Sequence, residues 1–226
     1  MNGKAKIFDD NTGGLVFEGE YLYDQKIKGK AYINGKLEYD GEYLFDKKWN
    51  GKGYDENGNV IYELVNGNGT IKEYNHENKL IYEGEYLNGK RNGKGKEYDY
   101  FYLGRSIFEG EFSNGKRWKG IIKEYHYNEK LKFEGEYLDG KINGIGKEYC
   151  NGELIFEGEY LNGERNGKGK EYHYNGKLKF EGEYINGERN GKGKEYDEND
   201  GKLIFEGYYK NGNREEKSKK SNCKIF

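Results

Sequence analysis

The segment Tyr82–Gly95, YEGEYLNGKRNGKG, decides the fold, because close copies of it recur along the chain. Near-identical copies of the stretch Leu80–Tyr98 begin at Leu131, Leu154 and Leu178. The glycine after an aromatic and acidic pair marks each copy, at Gly19, Gly41, Gly84, Gly110, Gly135, Gly158, Gly182 and Gly207. A period of about two dozen residues is typical of repeat architectures. We interpret residues 15–212 as a repeat array, residues 1–14 as a lead-in or cap, and residues 213–226 as a flexible tail.

Each repeat has the pattern of a β-hairpin. Side chains alternate between the two faces of a strand, so Tyr82, Gly84 and Tyr86 share one face and the intervening glutamates share the other. Asn-Gly pairs follow, and these are strong signals for tight hairpin turns. No segment has the apolar spacing of an amphipathic helix. The sequence therefore predicts an all-β fold of tandem antiparallel hairpins.

The alternation of aromatic residues and glycines predicts rings that lie flat across bare backbone. A ring can cover a neighbouring strand only where no Cβ lies beneath it, which explains glycines that otherwise weaken a strand. Two registers stay open at this point. Tyr86 opposite Gly95 would place Glu85 opposite Lys96, and a shift by one residue would place Tyr82 opposite Tyr98.

The repeat resembles the MORN repeat, whose core is aromatic-x-Gly-x-aromatic-x-x-Gly-x-x-x-Gly-x-Gly. Tyr82–Gly95, Phe156–Gly169 and Phe180–Gly193 match every fixed position. The resemblance implies an elongated, twisted, single-layer antiparallel sheet that serves protein binding, dimerisation or membrane-associated scaffolding. A degenerate ninth unit around Tyr62 departs from the pattern, with Glu63 at the glycine position and no turn. Sheet continuity near residues 55–70 is therefore in doubt.

Composition and motifs favour a binding protein over an enzyme. The chain is 35% charged and 16% aromatic, so it is too aromatic for a disordered chain. Gly84–Lys90 imitates a phosphate-binding loop, but Arg91 stands where Ser or Thr would hold magnesium, and the imitation recurs with the repeats. The three histidines and Cys150 fall in inter-repeat turns and form no catalytic or metal-binding set. We predict no enzyme activity, cofactor or metal, and the net charge of −2 gives no indication of nucleic-acid binding.

Three repeats carry one extra residue after the first turn cation, and the inserted residues are Ile27, Trp49 and Trp118. Each side chain either folds back over its own sheet or anchors a protein partner, because interface hot spots favour tryptophan. The candidate partner-binding residues are Trp49, Trp118, Tyr86, Tyr137, Tyr160 and Tyr184. Exposed strand edges at the two ends also allow an end-to-end homodimer.

The final residues indicate a lipid anchor. Cys223, Lys224, Ile225 and Phe226 fit the C-a-a-X pattern of a prenyltransferase substrate, and a terminal Phe favours geranylgeranyl transfer. Basic residues near a lipid anchor strengthen membrane binding, and Lys217, Lys219 and Lys220 precede this motif. No apolar run is long enough to span a membrane, and the first residues lack the apolar core of a signal peptide.

The resulting hypothesis is a non-enzymatic scaffold on the cytosolic leaflet of a membrane, with a repeat array that binds a protein partner. A second hypothesis is a soluble, antitoxin-like repeat module whose final residues are not modified.

Overall fold

The computed structural model describes residues 1–101 and 104–215, and every regular element in these ranges is a β-strand. These ranges contain no apolar helix of membrane-spanning length. The strands are β1 (Gly3–Phe8), β2 (Leu15–Leu22), β3 (Gln25–Ile33), β4 (Lys36–Leu44), β5 (Lys47–Tyr54), β6 (Val60–Leu64), β7 (Gly69–Tyr74), β8 (Leu80–Leu87), β9 (Lys90–Phe101), β10 (Gly104–Ser113), β11 (Lys116–His126), β12 (Leu131–Leu138), β13 (Lys141–Cys150), β14 (Glu153–Leu161), β15 (Glu164–Tyr172), β16 (Leu178–Ile185), β17 (Glu188–Tyr196), β18 (Leu203–Lys210) and β19 (Asn213–Arg214).

The strands pair in chain order in two sheets, β1 to β6 and β7 to β19, and neither sheet closes on itself. Consecutive strands run antiparallel, as in the pairs β2–β3, β14–β15 and β16–β17. The prediction of an all-β fold built from tandem antiparallel hairpins is therefore confirmed. The chain forms two units, one of residues 1–122 with 138–140, and the other of residues 123–137 with the chain from Lys141 onward.

Asn-Gly pairs close several of the hairpins, as predicted, whereas Tyr23–Asp24 closes β2–β3 and Phe45–Asp46 closes β4–β5. In the turn between β16 and β17, φ is +49° at Asn186 and +85° at Gly187, the conformation that two-residue hairpin turns require. The Gly187 amide also donates a hydrogen bond of 2.9 Å to the carbonyl of Arg165 in the preceding hairpin. Each such turn therefore closes its own hairpin and links it to its neighbour.

The register aligns glycines across the strands. In the second unit Gly158 pairs with Gly169, Gly169 with Gly182, Gly182 with Gly193, and Gly193 with Gly207. We call this line of residues the glycine row. It continues separately in the first unit, for example from Gly19 to Gly29 and from Gly29 to Gly41.

Both predicted registers are wrong. Tyr82 lies opposite Glu97, Glu83 opposite Lys96 and Tyr86 opposite Arg91. The physical reason is that Gly84 must face Gly95, since the ring of Tyr82 covers both glycines and leaves no space for a Cβ at either one.

The degenerate repeat around Tyr62 interrupts the sheets, in line with the doubt raised by its sequence. The glycine position is occupied by Leu64, opposite Gly51, and not by Glu63, which lies opposite Lys52. The predicted absence of a turn is also wrong, because Asn66 and Gly67 have positive φ and Val65 bridges Asn68. β6 ends the first sheet and β7 begins the second.

Candidate functional site

One face of each sheet carries the aromatic rings that form the core, and we call it the aromatic face. Phe180 is fully buried, and a Cβ added at Gly182 or Gly193 would lie 2.5 Å from its ring. Tyr184 packs edge-on against Phe180, with ring centroids 5.7 Å apart, a geometry that aromatic pairs prefer. The same arrangement of a first ring over two glycines and a second ring at its edge recurs along both units, for example at Phe17, Tyr39, Tyr82 and Phe156.

A cation from the return strand covers the first ring of most repeats. The Arg189 guanidinium lies 4.1 Å from the Phe180 centroid, and the Arg165 guanidinium lies 4.0 Å from the Phe156 centroid. This distance is within the range of a cation–π interaction. The other first-ring cations are Lys26, Lys48, Arg91, Arg117 and Arg214.

The arginines also pair with the glutamates of the Lys-Glu-Tyr segments. Arg189 donates two hydrogen bonds of 2.7 Å to Glu171 and a further one to Glu195. Burial alone would raise the pKa of Glu171, but hydrogen bonds from Arg189 and Tyr184 lower it to about 2. The pair is therefore ionised at neutral pH, and it fixes one hairpin against the next in a partly buried setting.

The opposite face carries alternating glutamates and lysines, and we call it the charged face. In the second unit, Glu181 lies between Lys170 and Lys194 across the strands. The tyrosine of the Lys-Glu-Tyr segment packs here too, and the Tyr196 hydroxyl donates a hydrogen bond of 2.7 Å to Glu181. At the equivalent position, burial and the hydrogen bond to Glu157 raise the pKa of Tyr172 to about 12. Tyr172 and Tyr196 therefore stay protonated and hold Glu157 and Glu181 in place.

A groove runs along the charged face of the second unit. It has a volume of about 860 Å³, and its floor is the backbone of the glycine row from Gly158 to Gly207. Glutamates and lysines of β14 to β18 form its walls, together with Ile145 and Tyr208, which are 52% and 54% exposed. The charged face of the first unit has a groove of the same construction, with Gly19 and Gly29 on its floor and a volume of about 560 Å³.

The charged side chains of both grooves alternate in sign across the strands. Catalysis would require side chains that converge on one point, whereas the glutamates of the second unit face lysines on the neighbouring strands. The described residues contain no group of three or more side chains placed to hold a metal ion. The groove of the second unit combines charges of both signs with the exposed apolar side chains of Ile145 and Tyr208.

Comparison with protein families assigns the repeat. The family model of the MORN repeat matches residues 82–100, 108–118, 133–153, 156–177 and 180–202. The chain contains MORN repeats. No curated protein sequence matches the chain. The hairpins β2–β3 and β4–β5 lie outside the matched segments, although they have the same ring, glycine and cation arrangement. MORN repeats indicate a protein- or membrane-binding repeat module.

The hairpins of the array have two lengths, and this corrects the predicted insertions. In the long hairpins Gly84 faces Gly95 and Gly182 faces Gly193, whereas in a short hairpin Gly41 faces Gly51. The strands β2–β3, β4–β5 and β10–β11 form short hairpins, which have one residue fewer between their row glycines. The repeats with Ile27, Trp49 and Trp118 are thus shorter, not longer.

The long hairpins contain a second feature that the short ones lack. Each has a glycine at positive φ before its row glycine, namely Gly93, Gly144, Gly167 and Gly191. The carboxylate of the second glutamate lies over this bend, and Glu183 accepts a hydrogen bond of 3.2 Å from the Lys192 amide. The carboxylate of Glu183 therefore binds backbone as well as lying among lysines. The sequence does contain a sign of this bend, because each long repeat has a second Asn-Gly pair, such as Asn190-Gly191.

The two tryptophans differ in their surroundings. Trp49 lies between paired Lys48 and Asn50, and its ring packs against the turn glycine Gly67. Trp118 is 40% exposed, with the Lys119 ammonium 4.7 Å from its ring. Trp49 thus packs against the turn that follows β6, and Trp118 retains an exposed surface.

The candidate tyrosines belong to the aromatic face. Tyr160 and Tyr184 are buried core residues whose hydroxyls donate to Glu148 and Glu171, so their rings are not available to a partner. Tyr86 is half-buried and donates to Glu73. Tyr137 is also half-buried. The burial arises because the second ring of each repeat packs against the first, a contact that alternation alone does not reveal.

The predicted lipidation residues, Cys223 to Phe226, and the basic residues Lys217, Lys219 and Lys220 lie outside the described residues. Cys150 is half-buried beside Tyr174, whose hydroxyl is 3.8 Å from its sulfur. His76 lies in a turn with its side chain 88% exposed.

Proposed function

We propose that this chain is a non-enzymatic binding protein and that the groove on the charged face of its second unit takes a segment of a partner protein. The observation that carries the proposal is the contrast between the two faces. Rings and cations fill the aromatic face, whereas the groove has bare backbone as its floor and Ile145 and Tyr208 exposed at its walls. Exposed apolar side chains within a polar rim are typical of interaction sites.

The charges of the groove define the partner's chemistry. Lysines and glutamates alternate across the strands, for example Lys170, Glu181 and Lys194, so no wall presents a single sign. Such a surface suits a polypeptide with both acidic and basic side chains and at least one apolar anchor. A nucleic acid would need an excess of unpaired cations along its backbone.

The binding test uses surface variants that leave the core intact. The double variant Ile145→Ser/Tyr208→Ser removes the two apolar wall residues, and Tyr174→Ser, which alters a 70% exposed turn residue, is the matched control. Crosslinking in cells should recover a protein with wild type and Tyr174→Ser but much less of it with the double variant. Equal recovery by all three chains would contradict a role for the groove. Trp118→Ala, assayed in parallel, tests whether this exposed ring is a second anchor.

We further propose that prenylation of Cys223 anchors this binding array to the cytosolic leaflet as a scaffold. The pattern Cys223-Lys224-Ile225-Phe226 supports the proposal, and so does the preceding cluster of lysines. A single lipid chain binds a membrane only marginally, and each basic residue near anionic lipid adds about 1 kcal/mol, so the two signals reinforce each other.

Intact mass and membrane fractionation of the full chain from eukaryotic cells test the anchor. The expected result is a prenyl mass on the wild-type protein and its sedimentation with membranes, both lost in Cys223→Ser. An unmodified, freely diffusing wild-type protein would instead support the soluble, antitoxin-like module. The groove test is independent of this result, because its variants do not alter residues 216–226.

A further inference from the structure

The second ring of several repeats donates its hydroxyl to a glutamate of the preceding strand. The Tyr184 hydroxyl donates a hydrogen bond of 2.7 Å to Glu171, and the same carboxylate accepts two hydrogen bonds from Arg189. The same arrangement occurs at Tyr86 with Glu73 and Arg91, and at Tyr160 with Glu148 and Arg165. One carboxylate on the aromatic face thus serves a tyrosine and a cation together.

The repeat formed by β4 and β5 lacks this carboxylate. Ala31 lies opposite Tyr39, the first ring of the repeat. In the second unit Glu171 holds the same position, opposite Phe180. The second ring, Tyr43, is 7% exposed, and its buried hydroxyl has no hydrogen-bond partner among the described residues. Such buried polar groups are rare in folded proteins and call for an explanation.

The cation beside Ala31 also lacks a carboxylate. Like the arginines of other repeats, Lys26 lies over a first ring and beside the second ring of the next repeat, 4.7 Å from the Phe17 centroid and 5.8 Å from the Tyr43 centroid. The two glutamate positions with which it would pair are occupied by Ile7 and Ala31. Within the described part of the chain, Lys26 therefore forms no ion pair.

A neighbouring ion pair does not supply the missing carboxylate. Lys48, the cation of β5, pairs with Glu38, which also accepts a hydrogen bond of 3.3 Å from the Tyr62 hydroxyl. Glu38 is therefore engaged on that side, and it forms no hydrogen bond with the Tyr43 hydroxyl. The charge of Glu38 is balanced by Lys48, and Lys26 is left without a partner of opposite charge.

Solvent reaches this position in the repeats that have the glutamate. The side chains of Glu171, Glu73 and Glu148 are 15%, 21% and 28% exposed. The equivalent place beside Ala31, which is itself half-buried, therefore lies at the surface of the aromatic face. A carboxylate from outside the chain can reach it.

We propose that Lys26 and the Tyr43 hydroxyl bind the carboxylate of a ligand beside Ala31, in the place that glutamate carboxylates occupy in other repeats. An ammonium and a phenolic hydroxyl are two donors, and they match the two oxygens of one carboxylate. A doubly charged phosphate would need more cations and would be repelled by Glu38. The carboxylate belongs to a small organic acid or to an Asp or Glu side chain of a protein. The inference depends neither on the groove of the second unit nor on the lipid anchor.

Titration of the full chain with acetate at constant ionic strength tests the site. The side-chain NMR resonances of Lys26 and Tyr43 should shift and saturate. Lys26→Gln should weaken binding by about tenfold, because a hydrogen bond to a charged group is lost. Lys28→Gln, which changes an exposed lysine on the charged face of the same strand, is the matched control and should bind as wild type does. No saturation in wild type would mean that water alone serves the Tyr43 hydroxyl, and equal weakening by both variants would mean unspecific attraction; either result overturns the proposal.

A variant that supplies the carboxylate from the chain itself gives an independent test. Ala31→Glu should abolish acetate binding and raise the thermal midpoint of unfolding, and it should raise the midpoint more than Ala31→Gln, which has the same size without the charge. Wild-type acetate binding by Ala31→Glu would refute the site.

The hydroxyl is tested by Tyr43→Phe, which keeps the ring. It should weaken acetate binding without loss of stability, because the hydroxyl that it removes has no partner in the chain. A loss of stability would show that the hydroxyl is already bonded and would contradict the site.

The source of the carboxylate is distinguished by a second probe, N-acetylglutamate amide, which represents a glutamate within a polypeptide. Tighter binding of this probe than of acetate would support the site as one for a protein side chain. Equal binding of the two would support it as one for a small organic acid. Failure of both probes to bind would refute it.

Discussion

The long hairpin β16–β17 and the short hairpin β4–β5 solve one packing problem with different backbones. Both place a ring over two facing glycines, Phe180 over Gly182 and Gly193, and Tyr39 over Gly41 and Gly51. The long hairpin reaches this pairing through a bend at Gly191, whose φ is +89°, and the short hairpin reaches it through one unpaired residue, Trp49.

The difference shows that contact between ring and glycine sets the register, and that the loop between them adapts. An alignment by the Gly-x-Gly motif equates Gly51 with Gly191, and so makes Trp49 an insertion. The strand pairing instead equates Gly51 with Gly193. Local similarity and structural equivalence therefore differ by two residues in this protein.

The largest loss of stability is expected at the glycines beneath the rings, which both hairpins share. Gly193→Val and Gly51→Val should each lower the free energy of unfolding by about 3 kcal/mol, because the new side chain would overlap a buried ring. Urea titration of each variant measures the loss. Gly207→Val is the control and should cost less, because the ring that covers Gly207, Phe205, is only half-buried. A loss below 1 kcal/mol at both row positions would break the comparison.

A smaller loss of stability is expected on removing the cation that covers the first ring, which is Arg189 in the long hairpin and Lys48 in the short one. Arg189→Ala should cost about 2 to 3 kcal/mol, because the cations that remain beside Glu171 and Glu195 are the more exposed Lys179 and Arg214. Lys48→Ala in the short hairpin loses a single carboxylate partner, Glu38, and should cost about 1 kcal/mol. Thermal or urea unfolding of the two variants measures the ranking, and equal losses would contradict it.

Acid should weaken the unit that holds Glu171. The folded pKa of this carboxyl is about 2, against an ordinary value of 4.5, so its contribution is fully present above pH 4.5 and is lost as the pH falls toward 2. Unfolding free energies measured between pH 6 and pH 2.5 should show the decline, in a range centred below the ordinary carboxyl pKa. In Glu171→Gln the slope should be shallower. An unchanged slope would mean that this ion pair does not stabilise the fold.

The smallest loss of stability is expected from changes to the backbone features that distinguish the hairpins, which are the glycine bend of the long ones and the unpaired residue of the short ones. Gly191→Ala should cost about 1 to 2 kcal/mol, because alanine is strained at this positive φ and would displace the Glu183 carboxylate. In the short hairpin β2–β3, Ile27→Ala changes an exposed, unpaired residue and should stay within about 0.5 kcal/mol. Equal effects at the two sites would remove the physical distinction between the hairpins.

Much of the architecture could be predicted from the sequence, because each feature depends on residues close together in the chain. The spacing of the marker glycines indicated hairpins, and Asn-Gly pairs located turns such as Asn186–Gly187. Aromatic residues and glycine occupy alternate positions in Tyr82–Tyr86, and this pattern predicted that each ring lies over glycine backbone. Local chemistry was sufficient for these features.

The functional surface was harder to predict, because it depends on which strands face each other. Tyr160 and Tyr184 were expected at a partner interface, and the structure places them in the core. The sequence analysis did not predict a role for Ile145 and Tyr208, which line the groove. Each is a single change within a repeat, with Ile145 in place of a lysine and Tyr208 in place of a glutamate. Their substitution in otherwise uniform rows is the signal that could have identified them.

The sequence by itself determined that this chain folds into tandem β-hairpins of MORN type, because period, turn chemistry and alternation are all encoded within two dozen residues. Only the tertiary structure decided the register, the two hairpin lengths, the pairing of Arg189 with Glu171 and the face that stays open. Those features arise because a ring on one strand must cover glycines on two strands, and only the pairing of the strands shows which glycines face each other.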